Sequence, residues 1–300
     1  MKAILIKCVL AWCLVWATPG SCTPLNVIFL TGRDDSIPGE LLFRIKKEIE
    51  GRASVNVSNM RFDGMFRSNE IVIAFGVNGA RLAAALDPRI PVLSIFVPEK
   101  AFSEIGRARR TFSAIYIDQP LERQMHLIRL AFPQRRHVGV LLGPGSQGQL
   151  SSIRAAASDN ELELAFGMFS SQSELFSSFD KILKESDVIL AVPDPLVFNS
   201  GTISGILLTA YRRHVPLVGF SPSYVKAGSL VALYSTVEQI GWQVSEAIAK
   251  FSSTGALPVP GYPAYFTVGV NRYVARSMEI EVQDEATIEE KLIHMEGRHE

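Results

Sequence analysis

Three groups of residues have the types and spacing that could do chemistry. Gly143, Gly145 and Gly148 in GPGSQG follow a strand-like run and open a helix-like one, the arrangement that lets a backbone approach a pyrophosphate at a helix N-terminus. The acid that would hold a ribose is misplaced, because Glu161 and Glu163 fall at the start and middle of the next strand-like run rather than at its end. The glycines therefore read as a permissive turn. Gly219-Phe220-Ser221-Pro222-Ser223 begins like a nucleophile elbow, but its final glycine is missing. Pro222 also removes the N–H that an oxyanion hole would use. The five histidines, His126, His137, His214, His294 and His299, form no close-spaced ligand pair outside the polar tail, so neither a metal site nor a cofactor is expected. That leaves Asp194 between Pro193 and Pro195. A carboxylate held there can accept hydrogen bonds from an ammonium, amide or hydroxyl group, or alternatively cap the helix that follows. Nothing here predicts an enzyme.

The 300 residues carry 30 basic and 30 acidic side chains, with 47% hydrophobic residues. Such a chain can bury a sizeable core, and its length suits two medium units. Its neutrality argues against nucleic acid as a partner. At the N-terminus Lys2 and Lys7 precede an apolar run from Cys8 to Ala17, followed by Thr18, Pro19, Gly20 and Ser21. That order is the pattern of an export signal over residues 1–21. A run of this length makes about 15 Å of helix, too short for a hydrocarbon core of about 30 Å. Removing the signal leaves 28 basic against 30 acidic residues and Cys22 as the one cysteine, so the exported fold has no internal disulfide. Cys22 is a candidate lipid-carrying first residue if cleavage falls just before it; cleavage after Ala17 would leave it near a free N-terminus.

The elements that must position these groups alternate along the chain. Strand-like runs lie at Leu25 to Leu30, Ala53 to Val57, Glu70 to Phe75, Pro91 to Phe96 and Phe112 to Ile117. Ser36 is placed to cap the helix that follows the first of them. A second series follows at His137 to Leu142, Glu161 to Phe166, Asp187 to Val192, Val215 to Phe220, Ser229 to Tyr234 and Ala264 to Val270. Helical spacing of apolar residues separates most of these runs, including Pro120 to Phe132 and Thr236 to Phe251. The pattern is α/β with parallel sheets.

Laid in order, IAFGVNGARLAAAL with IPVLSIFVP, SAIYIDQPLERQMHLIRLAFPQRRHVGVLLGP, VILAVPDPLVFNS and VPLVGFSPSYVKAGSLVALYSTVEQIGWQVSEAI resemble the substrate-binding proteins of an ABC-transporter family that includes tryptophan- and tyrosine-binding lipoproteins. PDPLVFN stands where those amino-acid binders have a PTDN-like turn, so their specificity is not carried over. The resemblance implies a fold of the periplasmic-binding-protein type I kind, with two Rossmann-like lobes, several interlobe crossings and a ligand cleft. The first lobe is expected at 24–117 plus 237–258, the second at 118–236 plus 259–280, and a polar, solvated tail at 281–300. Crossings are expected at Asp118 to Pro120, Ser235 to Thr236 and Gly255 to Pro263.

Open parallel sheets gather ligands at strand C-termini. On that ground the expected contacts are Gly32, Gly76, Val77, Asn78, Phe96, Ser146, Asp194, Asn199, Ser221 and Tyr224, with Phe198 and Phe220 as further apolar walls. The function that follows is capture of a small organic solute for an ABC importer by a monomeric periplasmic protein, anchored through Cys22 if that residue is lipidated. Two rivals remain: a ligand sensor of the same fold coupled to a membrane receptor or kinase, and a dinucleotide-dependent enzyme.

Overall fold

Aliphatic and β-branched runs without polar alternation become strands covered on both faces. The computed structural model describes residues 25–32, 37–49, 55–59, 69–106 and 111–297. The expected signal, Cys22 and Ser36 lie outside them. The first lobe holds β1 (Leu25–Leu30), α1 (Gly39–Ile49), β2 (Val55–Asn59), β3 (Glu70–Phe75), α2 (Gly76–Ala84), β4 (Val92–Val97), α3 (Glu99–Gly106) and β5 (Phe112–Tyr116). Its strands are parallel, in the order β2-β1-β3-β4-β5. Val27, Phe29, Ile71, Ile73, Leu93 and Ile95 fill one face of this sheet. The residues between them, including Ile28, Val72, Ala74 and Val92, fill the other, as a period of two requires.

The second lobe begins with α4 (Leu121–Ala131), β6 (His137–Leu142), α5 (Leu150–Asp159), β7 (Glu163–Met168), α6 (Leu175–Glu185) and β8 (Val188–Leu190). It continues through α7 (Ile203–Arg212), β9 (Leu217–Gly219), α8 (Pro222–Ala227) and β10 (Val231–Tyr234). The chain then returns to the first lobe as α9 (Val237–Thr254), and comes back once more as β11 (Thr267–Val270), α10 (Arg272–Ser277) and α11 (Glu285–Glu296). The second sheet runs β11-β10-β9-β8-β6-β7, and all its pairs are parallel except β10 with β11.

α9 returns because its apolar residues demand it. Ile240, Val244 and Ile248 repeat at four-residue spacing and join Leu41 and Ile45 of α1 in the first core. Gly241 makes the approach close, since a Cβ there would lie 3.3 Å from the Arg44 Cβ. A capping box between Thr236 and Gln239 starts the helix, and Gly255, at φ 68, ends it.

The tail departs from expectation. α11 is rich in glutamate, but Ile288 and Leu292, four residues apart, are fully buried in the second core with Met125, Phe266 and Val268. Two residues at helical spacing suffice to dock a helix whose other faces stay in water. β8 and β9 are also shorter than their apolar runs, because the chain leaves the sheet before Pro193 and Phe220 to form the loops described next.

Candidate functional site

The strand orders place a topological switch in each sheet, between β1 and β3 and between β6 and β8. Neighbouring strands there send their connections to opposite faces, and the crevice beyond their C-terminal ends is where open α/β sheets take ligands. The residues expected from the sequence to touch ligand lie beyond or close to the C-terminal ends of parallel strands, Phe96 at β4 and Ser221 and Tyr224 after β9 rather than at a switch point.

At the first switch Gly32 is buried just past β1. Gly76 follows β3 directly at φ 67, a left-handed conformation that favours glycine. α2 begins at that residue with Phe75 as its N-cap, and no side chain caps it. The first-turn N–H groups of Gly76, Val77 and Asn78 thus have no side-chain acceptor from the cap. Gly79 lets the helix sit tight on β1, because a Cβ there would lie 2.7 Å from the Leu30 carbonyl oxygen. Beside it, Phe96 adopts φ 54 where the β4–β5 register shifts between Ile95 and Val97. Its ring packs on Phe75 at 5.2 Å between centroids.

The second switch is filled differently. Asp194 is 3% exposed and Ser146 fully buried, and the Ser146 hydroxyl donates to Asp194 Oδ2 at 2.9 Å. Leu196 N–H donates to Oδ1 at 2.9 Å, so both carboxylate oxygens are engaged within the protein. The Ser146 hydroxyl also accepts from Gly143 N–H at 3.1 Å. A Cβ on Gly143 would stand 2.8 Å from Asp194 Oδ1, and one on Gly145 would stand 3.0 Å from Oδ2. These glycines make room for a carboxylate of the protein itself. Asn199 is likewise occupied in its loop, donating to the Pro195 carbonyl at 2.8 Å and accepting from Gly201 N–H at 2.9 Å.

Beyond β9, Ser221 is the N-cap of α8, with Pro222 in its first turn. Phe220 and Tyr224 pack at 4.4 Å between centroids, and Phe198 meets each at 6.0 Å. Burial pushes the Tyr224 hydroxyl up to about 12, so it is a neutral donor at physiological pH.

The structure therefore joins Ser146 to Asp194 directly and packs the half-buried Phe220 and Tyr224, beside Ser221, against Phe198, which is buried in the second lobe's core. Gly32, Gly76, Val77, Asn78 and Phe96 belong to the other lobe. A contact between the lobes comes from a residue that no motif marks: Lys100 Nζ donates to the Gly145 carbonyl at 2.9 Å. Its neighbour Glu99 accepts from the Tyr262 hydroxyl at 2.5 Å, while Glu99 N–H donates to Asp118 Oδ2 at 2.6 Å. Burial holds the Asp118 carboxyl above the ordinary carboxylate range. Burial, followed by the hydrogen bond to Glu99, raises the Tyr262 hydroxyl. A cavity of about 220 Å³ lies against the crossing, lined by Ala114, Gln243, Lys250, Val259 and Tyr262 among others, rather than at the strand ends.

Two parallel-sheet lobes, repeatedly connected and in contact where Lys100 of α3 reaches the loop after β6, define a bilobed binding-protein architecture. Residues 115–289 match the family model of the ABC transporter substrate binding proteins, and the chain belongs to that family. A ligand-free, open structure of a substrate binding protein with adhesive properties from Clostridium difficile aligns with a TM-score of 0.70 at 15% identity, covering 87% of this chain and 96% of that one. A conserved domain protein from Vibrio cholerae gives 0.59 at 17% identity, with coverages of 87% and 96%. An ABC domain from Streptococcus pneumonia in complex with L-Trp gives 0.57 at 14% identity, with coverages of 87% and 97%. At these identities the likeness speaks for the fold. No curated protein gives a significant match to the sequence. Among the described residues, no helix is long and apolar enough to cross a membrane.

Proposed function

We propose that the protein captures a small organic solute between its lobes, outside the cytoplasm, and delivers it to the permease of an ABC importer. The observation that carries this reading is the contact from Lys100 of α3, just beyond β4 of the first lobe, to Gly145 in the switch-point loop after β6 of the second, in a chain of this family. The ligand chemistry follows from the lining. Phe75 and Phe96 on one side, and Phe198, Phe220 and Tyr224 on the other, suit a flat apolar group. The α2 start offers backbone donors to an oxygen of the ligand. Aromatic amino acids are the first solutes to test, in keeping with the L-Trp complex of the pneumococcal neighbour. Gly76, Val77, Asn78, Phe96, Ser221 and Tyr224 are the proposed contacts; Ser146, Asp194 and Asn199 shape the neighbouring loops after β6 and β8. A noncatalytic role accords with polar side chains spent on holding loops.

A thermal-shift screen of the exported form against amino acids, nucleosides and other small metabolites tests the reading. A true ligand at a hundredfold over its Kd adds about 2.7 kcal/mol of stability. A folded protein that none of these solutes stabilises would overturn it. Mass spectrometry of fractionated cells tests export separately: the expected product begins between Thr18 and Cys22, and a cytoplasmic chain starting at Met1 would refute it.

A further inference from the structure

A buried arginine ties the chain's passages between the lobes to one another. Arg123, in the first turn of α4, is 5% exposed. Its Nε donates to Glu296 Oε1 and its Nη2 to Glu296 Oε2 at 2.9 Å, a bidentate pair with the last residue of α11. Its Nη1 donates to Gln119 Oε1 at 2.6 Å and to the Pro263 carbonyl at 3.0 Å. The guanidinium lies 4.2 Å from the centroid of the Phe266 ring. Gln119 then donates from Nε2 to the Ser235 hydroxyl at 2.9 Å, which donates to the Tyr265 carbonyl at 2.6 Å.

Gln119, Ser235 and the stretch from Pro263 to Tyr265 are the places where the chain leaves or re-enters the second lobe. The last of these follows Gly261, whose backbone pairs with β5 of the first lobe, and precedes β11 of the second. One network therefore fastens all three passages to the second lobe. Only a planar fork of N–H donors can serve a carboxylate bidentately and two further acceptors at once. Glu296 also sits at a helix C-terminus, where the macrodipole disfavours a carboxylate. The buried cation offsets that cost, so the pairing fixes where α11 ends.

We infer that Arg123 is a positioning residue for lobe closure, setting the pivot through Gln119, Ser235 and Pro263, and that α11 holds it in place through Glu296. The inference rests on the solute-binding reading for its purpose, but its test does not need a solute. Hydrogen exchange of the ligand-free full chain compares peptides over 117–120, 234–238 and 262–266 with the strands β6 and β8 as internal controls. Arg123→Met should speed exchange about tenfold at all three passages together, with the controls unchanged, and small-angle scattering should report a broader range of shapes. The decisive passage is 234–238, which Arg123 does not touch and reaches only through Gln119 and the Pro263 to Phe266 stretch. Faster exchange confined to the residues that Arg123 touches, or no change, overturns the inference. If Arg123→Met does not fold, Glu296→Gln decides: it keeps the shape of a half-exposed partner and should give the same pattern more weakly, whereas unchanged exchange at all three passages refutes it. A solute screen without a hit leaves this result intact, and unaltered passages leave the solute reading intact.

Discussion

The two lobes share a strand order, so each has its switch point in the same place, yet they furnish it by different means. In the first lobe the face is backbone: Gly76 starts α2 without a capping side chain, and Gly79 lets that helix close on the end of β1. In the second lobe the corresponding gap is bridged by side chains, with Asp194 of the β8 loop inserted under Gly143 and Gly145 of the β6 loop. Glycine serves both solutions by admitting something close, a carbonyl in one lobe and a carboxylate in the other. The comparison teaches that a polar residue at a strand end can be scaffold rather than contact, because a loop without regular hydrogen bonds must find partners for its own buried groups.

The lobes should also behave as separately cored bodies, and the sharpest way to break that picture is through α9. Ile248 is fully buried in the first core although it is encoded after the whole of β6 to β10. Ile248→Ala should cost about 2–5 kcal/mol in urea unfolding. Hydrogen exchange should accelerate in β1 to β5 and leave β6 to β10 protected. Equal acceleration in both sheets would mean that the two cores unfold as one.

Next in size is the brace. Asp194→Ala removes the acceptors of the Leu196 N–H and the Ser146 hydroxyl, and should cost about 2–4 kcal/mol, since each buried orphan costs about 1–3 kcal/mol. Asp194→Asn keeps an oxygen for Leu196 and should cost about 1 kcal/mol. Were Asp194 chiefly a ligand contact, both variants would fold with undiminished stability and lose affinity alone.

The counterpart in the first lobe is smaller. Gly76→Ala puts a Cβ at φ 67 and should cost about 1–2 kcal/mol. Because Gly76 opens the helix proposed to face ligand, affinity for an identified solute should fall as well. A loss of stability with unchanged affinity would remove the α2 start from the site.

How far this contrast could be read beforehand depends on the range of the interactions. β1, β3 and β6 stand where their apolar runs place them, because a strand buried on both faces declares itself locally. The spacing of Gly143 and Gly145 was visible too, and so was Asp194, but their meeting spans about fifty residues of chain. No local pattern distinguishes a glycine that admits a phosphate from one that admits a carboxylate of the same protein. Arg123 and Lys100 escaped notice for the same reason: each lies in an ordinary helix, and its partners are distant in sequence. In the tail, the glutamates masked a two-residue apolar stripe that becomes meaningful only beside the second core.

The smallest expected effect lies at the opposite end of the second lobe, where β6 begins, and it tests whether charged groups away from the cleft are merely local. His137 Nδ1 is 2.7 Å from Asp187 Oδ2, and Nε2 is 3.5 Å from Glu163. Asp187 also accepts from the Arg136 and His137 N–H groups at 3.2 and 3.1 Å, and its carbonyl accepts from Arg135 Nη1 at 2.5 Å. The hydrogen bond to Asp187, and then its charge, raise the His137 pKa above its ordinary value. A raised pKa means that the folded state holds the proton more tightly, so the contribution is complete below about pH 6.5 and is lost as pH rises through the folded value. Asp187 is shifted down: burial pushes its pKa up, but the His137 hydrogen bond and the two backbone donors together outweigh it. Its contribution is present above about pH 4 and lost as pH falls below that. The pair should therefore stabilise most between those limits. Both side chains are substantially exposed, so the effect should stay below about 1 kcal/mol and shrink in salt. His137→Gln should lower stability slightly at pH 6 and not at pH 9, with solute affinity equal to wild type at both. A change in affinity would show that the far end of β6 communicates with the Gly143 to Ser146 loop at its other end, and that the second lobe's brace is tuned from beneath.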